Sequence, residues 1–229
     1  MREMKILALE TSSDLEGVAL LSGEKILVNC QVRVQTGHSG KLLSLIDWSL
    51  SQAGMGIKEV DCLAVSLGPG SFTGLRIGLA TAKGICLAQG LPLIGIPTLD
   101  GLAYGLSLSS YPICPVLDAR RGEVYAALYL IDGGRLERKS PWLVMGIEEL
   151  ISHTEGRTVF LGDGAKSYRE ELRRGLGERA FFAPEDVSSP SAINIAHLAK
   201  ERFGEVGWAN LDDIEPLYLR TPPTRPPKG

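Results

Sequence analysis

Histidine and cysteine are scarce in this chain of 229 residues, with three of the first and four of the second. Their placement excludes several kinds of site. His38, His153 and His197 lie far apart and neither HxxxH nor HExxH occurs, so the helical metal motifs of zinc hydrolases are missing and no tightly bound transition metal is expected. Cys30, Cys62, Cys86 and Cys114 are equally dispersed, each in an apolar run and none at metal-ligand or redox-motif spacing. They read as buried, reduced thiols, which fits a cytoplasmic protein. Long apolar runs are absent too. The most apolar region, Ile85 to Pro97, is interrupted by Gln89, Gly90 and Pro92, whereas a bilayer-spanning helix needs about 20 apolar residues. The opening MREMKILALETSS has too short an apolar stretch for a signal peptide and reads as a strand. Positive charge is not in excess: 24 Lys and Arg against 27 Asp and Glu give a formal net charge of −3. Bulk charge is therefore no means of holding long nucleic acid. The only adjacent arginines, Arg120–Arg121 and Arg173–Arg174, read as solvated surface residues or as a local basic patch.

What the chain does have is a repeated pattern. KILALET from Lys5, EGVALLS from Glu16 and KILVNCQVRV from Lys25 read as three strands, the last two joined by a tight turn at Ser22-Gly23-Glu24. A helix from Lys41 to Ala53, the strand DCLAVSLGP, a helix from Ser71 to Ala88, the short strand PLIGIP and a helix after Thr98 follow. The second half repeats the order. PICPVLDAR, GEVYAALYLID and RLERKSPWLV read as three strands, Gly146 to Ser152 as a helix, RTVFLGDG as a strand and Ala165 to Gly175 as a helix, with one more helix from Ala192 to Phe203. LALETSSDLEGVALL and PVLDARRGEVYAALY place Glu10 and Asp118 at corresponding points. The pattern predicts an α/β fold of two duplicated βββαβα lobes, residues 1–100 and 101–220, enclosing a cleft. That is the plan of the actin-like, sugar-kinase and Hsp70 ATPases. The Pro-rich tail TPPTRPPKG, residues 221–229, reads as disordered or extended.

The sharpest motif is SLGPGSFTGLRIGLATAKG, Ser66 to Gly84. Gly68-Pro69-Gly70 makes a turn between strand and helix, and Ser71 or Thr73 caps the helix. Exposed N–H groups at such a start could hold a phosphate, but no Gly-Lys-Ser/Thr follows, and a plain strand-to-helix turn explains the spacing equally. Gly74, Gly78, Thr81 and Ile85 share one face of the helix. Glycine in a helix costs up to about 1 kcal/mol relative to alanine, so close approach of another element is expected, either inside the lobe or from another subunit. On the second reading, leucine at Gly78 leaves the chain folded and abolishes pairing. The preceding helix carries Leu42, Leu43, Leu45, Ile46, Trp48, Leu50 and Ala53, more than one apolar stripe. Deep burial or a second subunit would each account for the surplus.

The strand-end acids Glu10 and Asp118 could coordinate a magnesium-bound phosphate. Neither lies in an Asp-x-Gly pattern, and the first loop, Glu10 to Asp14, has no glycine. The second, Asp118 to Gly122, puts Arg120 and Arg121 where glycines would help, and these arginines could bind phosphate on a nucleotide or on tRNA. LGDGAKS, Leu161 to Ser167, reads as a turn before a helix or as a nucleotide contact. His38 beside Ser39 reads as a loop histidine.

KILALETSSDLEGVALL, SLGPGSFTGLRIGLATAKGICLAQGLPLIGIPTLDGLA, PVLDARRGEVYAALY and the C-terminal DIEPLYLR together resemble the signature segments of the TsaB (YeaZ) family. The resemblance implies an actin-like (ASKHA) fold and a non-catalytic scaffold and dimerisation subunit. It implies pairing with TsaD, the related catalytic subunit, through Leu42, Leu45 and Ile46 of one helix and Thr73, Gly74, Ile77, Gly78, Thr81 and Ile85 of the next. A homodimer forms through the same face when TsaD is absent. The family works alongside TsaE, an ATPase, and TsaC, which makes threonylcarbamoyl-AMP. TsaD transfers the threonylcarbamoyl group to N6 of adenosine 37 in tRNAs reading ANN codons. For this subunit the resemblance implies no tightly bound cofactor and contact with tRNA through the complex, with Glu10, Asp118, Arg120 and Arg121 as the cleft or phosphate positions. TsaD's paired-histidine metal motif has only His38 in the corresponding region. Two other classes stay open: a sugar-kinase-like phosphotransferase using the cleft, and a self-associating structural protein using the helix face.

Overall fold

The computed structural model describes residues 3–34, 41–203 and 211–220; His38, Ser39 and the Pro-rich tail lie outside them. The first half forms β1 (Lys5–Glu10), β2 (Leu15–Ser22), β3 (Lys25–Arg33), α1 (Lys41–Gln52), β4 (Cys62–Gly68), α2 (Phe72–Gln89), β5 (Leu93–Pro97) and α3 (Thr98–Tyr104). Gly23, at φ 56°, turns the chain between paired Ser22 and Lys25, as a two-residue hairpin turn requires. The strands assemble as β3-β2-β1-β4-β5, with β1 antiparallel to β2 and parallel to β4. Both faces of β1 and β4 are covered, which is why they read as unbroken apolar runs.

The second half forms β6 (Ile113–Arg120), β7 (Glu123–Ala126), β8 (Tyr129–Asp132), β9 (Arg135–Arg138), β10 (Leu143–Gly146), α4 (Ile147–Ser152), β11 (Thr158–Leu161), α5 (Asp163–Ser167), α6 (Arg169–Leu176), β12 (Ala180–Phe182) and α7 (Ala192–Arg202). Its main sheet runs β10-β7-β6-β11-β12, the same relative order and directions as the first. The duplication is therefore one of topology, not only of pattern.

Two expected strands are each divided. GEVYAALYLID breaks at Ala127–Leu128, and RLERKSPWLV breaks around Pro141, which has no N–H to give a ladder. The N–H of Leu128 donates to Ser140 Oγ (2.9 Å), and its carbonyl accepts from Lys139 N–H (2.7 Å). The freed pieces, β8 and β9, make their own hairpin beside Ile113. The helix expected from Ala165 to Gly175 is also divided, at Tyr168, and the three-residue β12 has no counterpart among the expected strands.

The layers cross the halves of the sequence. Leu42, Ile46 and Leu50 of α1 and Leu79, Ala82 and Cys86 of α2 pack on Leu7, Leu9, Leu63 and Val65. The alternate side chains Ile6, Ala8, Ala64 and Ile96 face Ala192, Ile195, Ala196 and Ala199 of α7. In the second sheet, α4, α5 and α6 cover one face, and α3 covers the other through Leu99, Leu102 and Ala103. The central layer is thus α3 from the first half and α7 from the second. Division at residue 100 does not separate the packing units, because α7 and Ile214 belong with the first sheet.

Candidate functional site

A cleft of about 770 Å³ opens between the sheets. Ser12, Ser13, Asp14, Arg33, Gly70 and Ser71 line one side; Asp118, Arg120, Asp163, Lys166 and Arg169 line the other, with Phe160 and Phe182 behind them. Its charges are largely paired: Arg33 with Asp14, Lys166 with Glu185, and Arg120 with Asp118.

The two corresponding acids have different environments. Glu10, at the end of β1, has 0 % of its surface exposed and is not among the cleft-lining residues. Its Oε1 accepts the N–H of Ser12 (2.6 Å) and the hydroxyl of Ser66 (2.9 Å), while Oε2 has no partner among the described residues. Burial raises its carboxyl above the ordinary range, against the pull of the Ser12, Ser66 and Thr11 hydrogen bonds. Asp118 does line the cleft. Its N–H donates to Asp163 Oδ1 (3.0 Å), and its Oδ1 accepts the N–H of Arg120 (2.8 Å). Loss of solvent raises the Asp163 carboxyl, opposed by the N–H groups of Asp118 and Gly164. Glu10 and Asp118 therefore correspond in topology and not in chemistry.

The glycine-rich entry to α2 is pressed onto the first loop. Ser71 N–H donates to Ser12 O (2.6 Å), and Ser71 Oγ caps the helix by accepting Gly74 N–H (3.2 Å). A Cβ on Gly162, where φ is 102°, would lie 2.2 Å from Val116 O. Gly162 is thus a close-packed junction between β11 and α5 against β6, and the Leu161–Lys166 stretch also forms part of the cleft wall.

Between β6 and β7 lies an unusual turn. Arg121 and Gly122, at φ 59° and 79°, connect paired Arg120 and Glu123. Two successive positive φ values define a type I′ hairpin turn, whose first position favours Asn, Asp or Gly. Arg120 is also left-handed, at φ 66°, where the β6–β7 register shifts. Its side chain is 85 % exposed despite the pairing with Asp118. Arg121 is exposed and has no hydrogen-bond or ion-pair partner among the described residues. Two arginines are thus held in a backbone that L-residues disfavour; Arg120 lines the cleft, and Arg121 is not among the lining residues.

Gly74 and Gly78 of α2 face inward, not toward a partner. A Cβ on Gly74 would lie 2.0 Å from Thr11 O, and one on Gly78 would lie 2.2 Å from Thr11 Oγ1. The close approach made through these glycines is by the first loop of the same chain. Leu42 and Ile46 are likewise in the first core; Leu45, Ile77, Thr81 and Ile85 are half-buried, and Thr73 is exposed. Deep burial does not account for all of the α1 surplus, since Leu43 and Trp48 remain 56 % and 49 % exposed, and Leu87 of α2 is 79 % exposed. These three sit on the outward stripes of their helices, and their spacing from Leu42, Ile46 and Gly78 is the signal that singles them out.

Among the described residues no helix is long and apolar enough to cross a membrane. The family profile described as "TsaD: tRNA N6-adenosine threonylcarbamoyltransferase" matches residues 32–206. The "tRNA threonylcarbamoyladenosine biosynthesis protein TsaB" of Haemophilus influenzae is 30 % identical, covering 96 % of this chain and 95 % of that protein. The protein of the same name from Bacillus subtilis is 28 % identical, covering 95 % and 94 %. Among solved structures, YeaZ from Pseudomonas aeruginosa superposes with a TM-score of 0.82 at 25 % identity, covering 94 % of this chain and all of that one. The ethanolamine utilization protein EutJ from Carboxydothermus hydrogenoformans shares the fold, at a TM-score of 0.51 and 12 % identity over 86 % of this chain and 90 % of its own. With the duplicated sheets, these neighbours identify the fold as actin-like.

Proposed function

The chain belongs to the TsaB family, and on that premise we propose that it is the non-catalytic scaffold subunit of the complex that transfers threonylcarbamoyl to N6 of adenosine 37 in tRNAs reading ANN codons. Membership carries a part in tRNA threonylcarbamoyladenosine biosynthesis. The finer reading is that the chain binds and supports a TsaD-type catalytic subunit in the cytoplasm, works beside a TsaE-type ATPase, and forms a homodimer through the same surface when alone.

One observation carries the reading: apolar side chains left uncovered on the outer faces of α1 and α2. Leu43, Trp48 and Leu87 are exposed beside half-buried Leu45, Ile77, Thr81 and Ile85. A helix pair that has already filled its own core keeps a second apolar face only at a cost in solubility unless another subunit covers it. The helices of that partner meet the side chains of this face; Gly74 and Gly78 shape it from beneath.

The cleft fits support rather than catalysis. Glu10 is withdrawn into the core, so a phosphotransferase built on two strand-end acids would have only Asp118 at hand. Arg120 and Arg121 suit a phosphate group better than a reacting one, because a guanidinium stays charged and presents paired N–H donors. In this reading they contact a phosphate of tRNA or of a nucleotide in the assembled complex.

Co-purification with the TsaD of the same organism, followed by a tRNA modification assay with and without this chain, tests the proposal. Stable pairing and modification that depends on the added chain are expected. Modification at full rate without the chain would overturn it.

A further inference from the structure

After Ile214, which is buried in the first core, the chain runs along the end of β4 toward the second sheet. Leu217 N–H donates to Leu67 O (2.7 Å), and a Cβ on Gly68 would lie 3.1 Å from Leu217 O. Tyr218 settles beside the first turn of α2, its ring centroid 5.3 Å from that of Phe72. Arg76 fastens the pair: its guanidinium lies 3.9 Å from the Phe72 ring centroid, and its Nε donates to the Tyr218 hydroxyl (3.0 Å). Two residues on, Arg220 Nη1 donates to Ala119 O (3.1 Å) and the same guanidinium pairs with the carboxylate of Glu123. Ala119 and Glu123 immediately flank the left-handed run Arg120–Gly122.

We propose that Leu217–Arg220 is a coupling strap that links the outer start of α2 to the arginine turn, with Arg220 as the positioning residue for Arg120 and Arg121. Three consecutive left-handed residues, two of them arginine, form a conformation the turn would not keep unaided. Arg220 grips both of its shoulders, one through a carbonyl and one through a carboxylate, so the turn cannot relax without breaking a charge-assisted bond. The other end of the strap is held by the Phe72–Arg76–Tyr218 stack, which borders the outer face of α2. An event at that face that moves Arg76 or Phe72 therefore pulls on Tyr218, and through Leu219 and Arg220 on the turn. The functional weight of this coupling depends on the partner and phosphate roles proposed above; the mechanical link does not.

Hydrogen exchange of the full chain tests the link without the complex. The reporters are the amides of Asp118 and Arg120, which donate to Asp163 and Asp118. Arg220→Ala should speed their exchange by about tenfold or more, while amides of β1 and α1 keep their rates. Arg76→Ala, remote from the turn, should speed the same two amides by about threefold or more. Unchanged exchange in Arg220→Ala would overturn the positioning role. A turn that responds to Arg220→Ala and not to Arg76→Ala would overturn the coupling. In a parallel modification assay, an Arg120→Ala/Arg121→Ala double variant that keeps full activity would defeat the phosphate reading and leave the exchange result standing.

Discussion

The hydroxyl oxygen of Thr11 lies 2.2 Å from where a Cβ on Gly78 would sit. A loop following the first strand and a helix that begins sixty residues later thus occupy one another's space, and the glycines of α2 are the concession that permits it. Gly78→Ala should destabilise the chain itself by about 2 kcal/mol, and leucine there should prevent folding, because overpacking a filled contact costs about 1–3 kcal/mol or more. Urea denaturation of Gly78→Ala, Thr11→Ala and the double variant checks this. The double variant should recover part of the loss; purely additive effects would mean that the two positions do not meet.

Trp48→Asp and Leu43→Asp place charge on the uncovered face and remove nothing from the core. Each should leave thermal stability within about 0.5 kcal/mol of the parent chain, as surface changes usually do. Each should also weaken association with the catalytic partner, and self-association, by tenfold or more, on the order of what a buried aromatic anchor contributes. Light scattering and co-purification supply the readout. Normal pairing by both variants would remove the α1 face from the interface.

Glu10 provides a pH signature. Its carboxyl is raised in the folded chain, chiefly by burial, so the folded state keeps a proton that the unfolded chain releases. This group's contribution is then most favourable in acid and declines as pH rises through and above the ordinary carboxylate range. Glu10→Gln removes that decline while keeping an acceptor for Ser12 and Ser66. Stability curves of the two proteins should converge in acid, below the ordinary carboxylate range, and separate toward neutrality with the Gln form ahead. A gap independent of pH would show that Glu10 titrates normally.

Arg121→Gly should stabilise the chain by about 1 kcal/mol, since glycine takes the left-handed region that arginine must be forced into. Modification by the assembled complex should fall in the same variant. Stability gained with activity intact would mean that the guanidinium at this turn has no task.

The sheets were legible in the sequence to different degrees. KILALE and CLAVSLG announce strands covered on both faces, and the matching runs around Glu10 and Asp118 expose the duplication. GEVYAALYLID misleads because its alternation continues through Ala127–Leu128; where the strand breaks, Leu128 bonds Ser140 and Lys139, which come from beyond the next turn. AFF is too short to carry a pattern. At the site, the glycines state that something approaches α2 without stating what, since Thr11 is distant in sequence. The strain at Arg120 and Arg121 is hidden because arginine is an unexpected occupant of an I′ turn. Leu43 and Trp48 could have been singled out by asking which apolar stripe of α1 the core leaves over.

The placement of α7 also sets the order of events during synthesis. Ile6, Ala8, Ala64 and Ile96 lie against a helix that starts at Ala192. A nascent chain that has completed every strand of the first sheet still has one bare apolar face, and it keeps that face until α7, which begins about 95 residues after β5 ends, has been added. Local pairing can proceed early, but closure of this core depends on contacts spanning most of the polypeptide, the kind that form slowly. In that interval the chain is open to chaperones and to aggregation, and a ribosome that stalls before residue 192 releases a fragment with no means of hiding it.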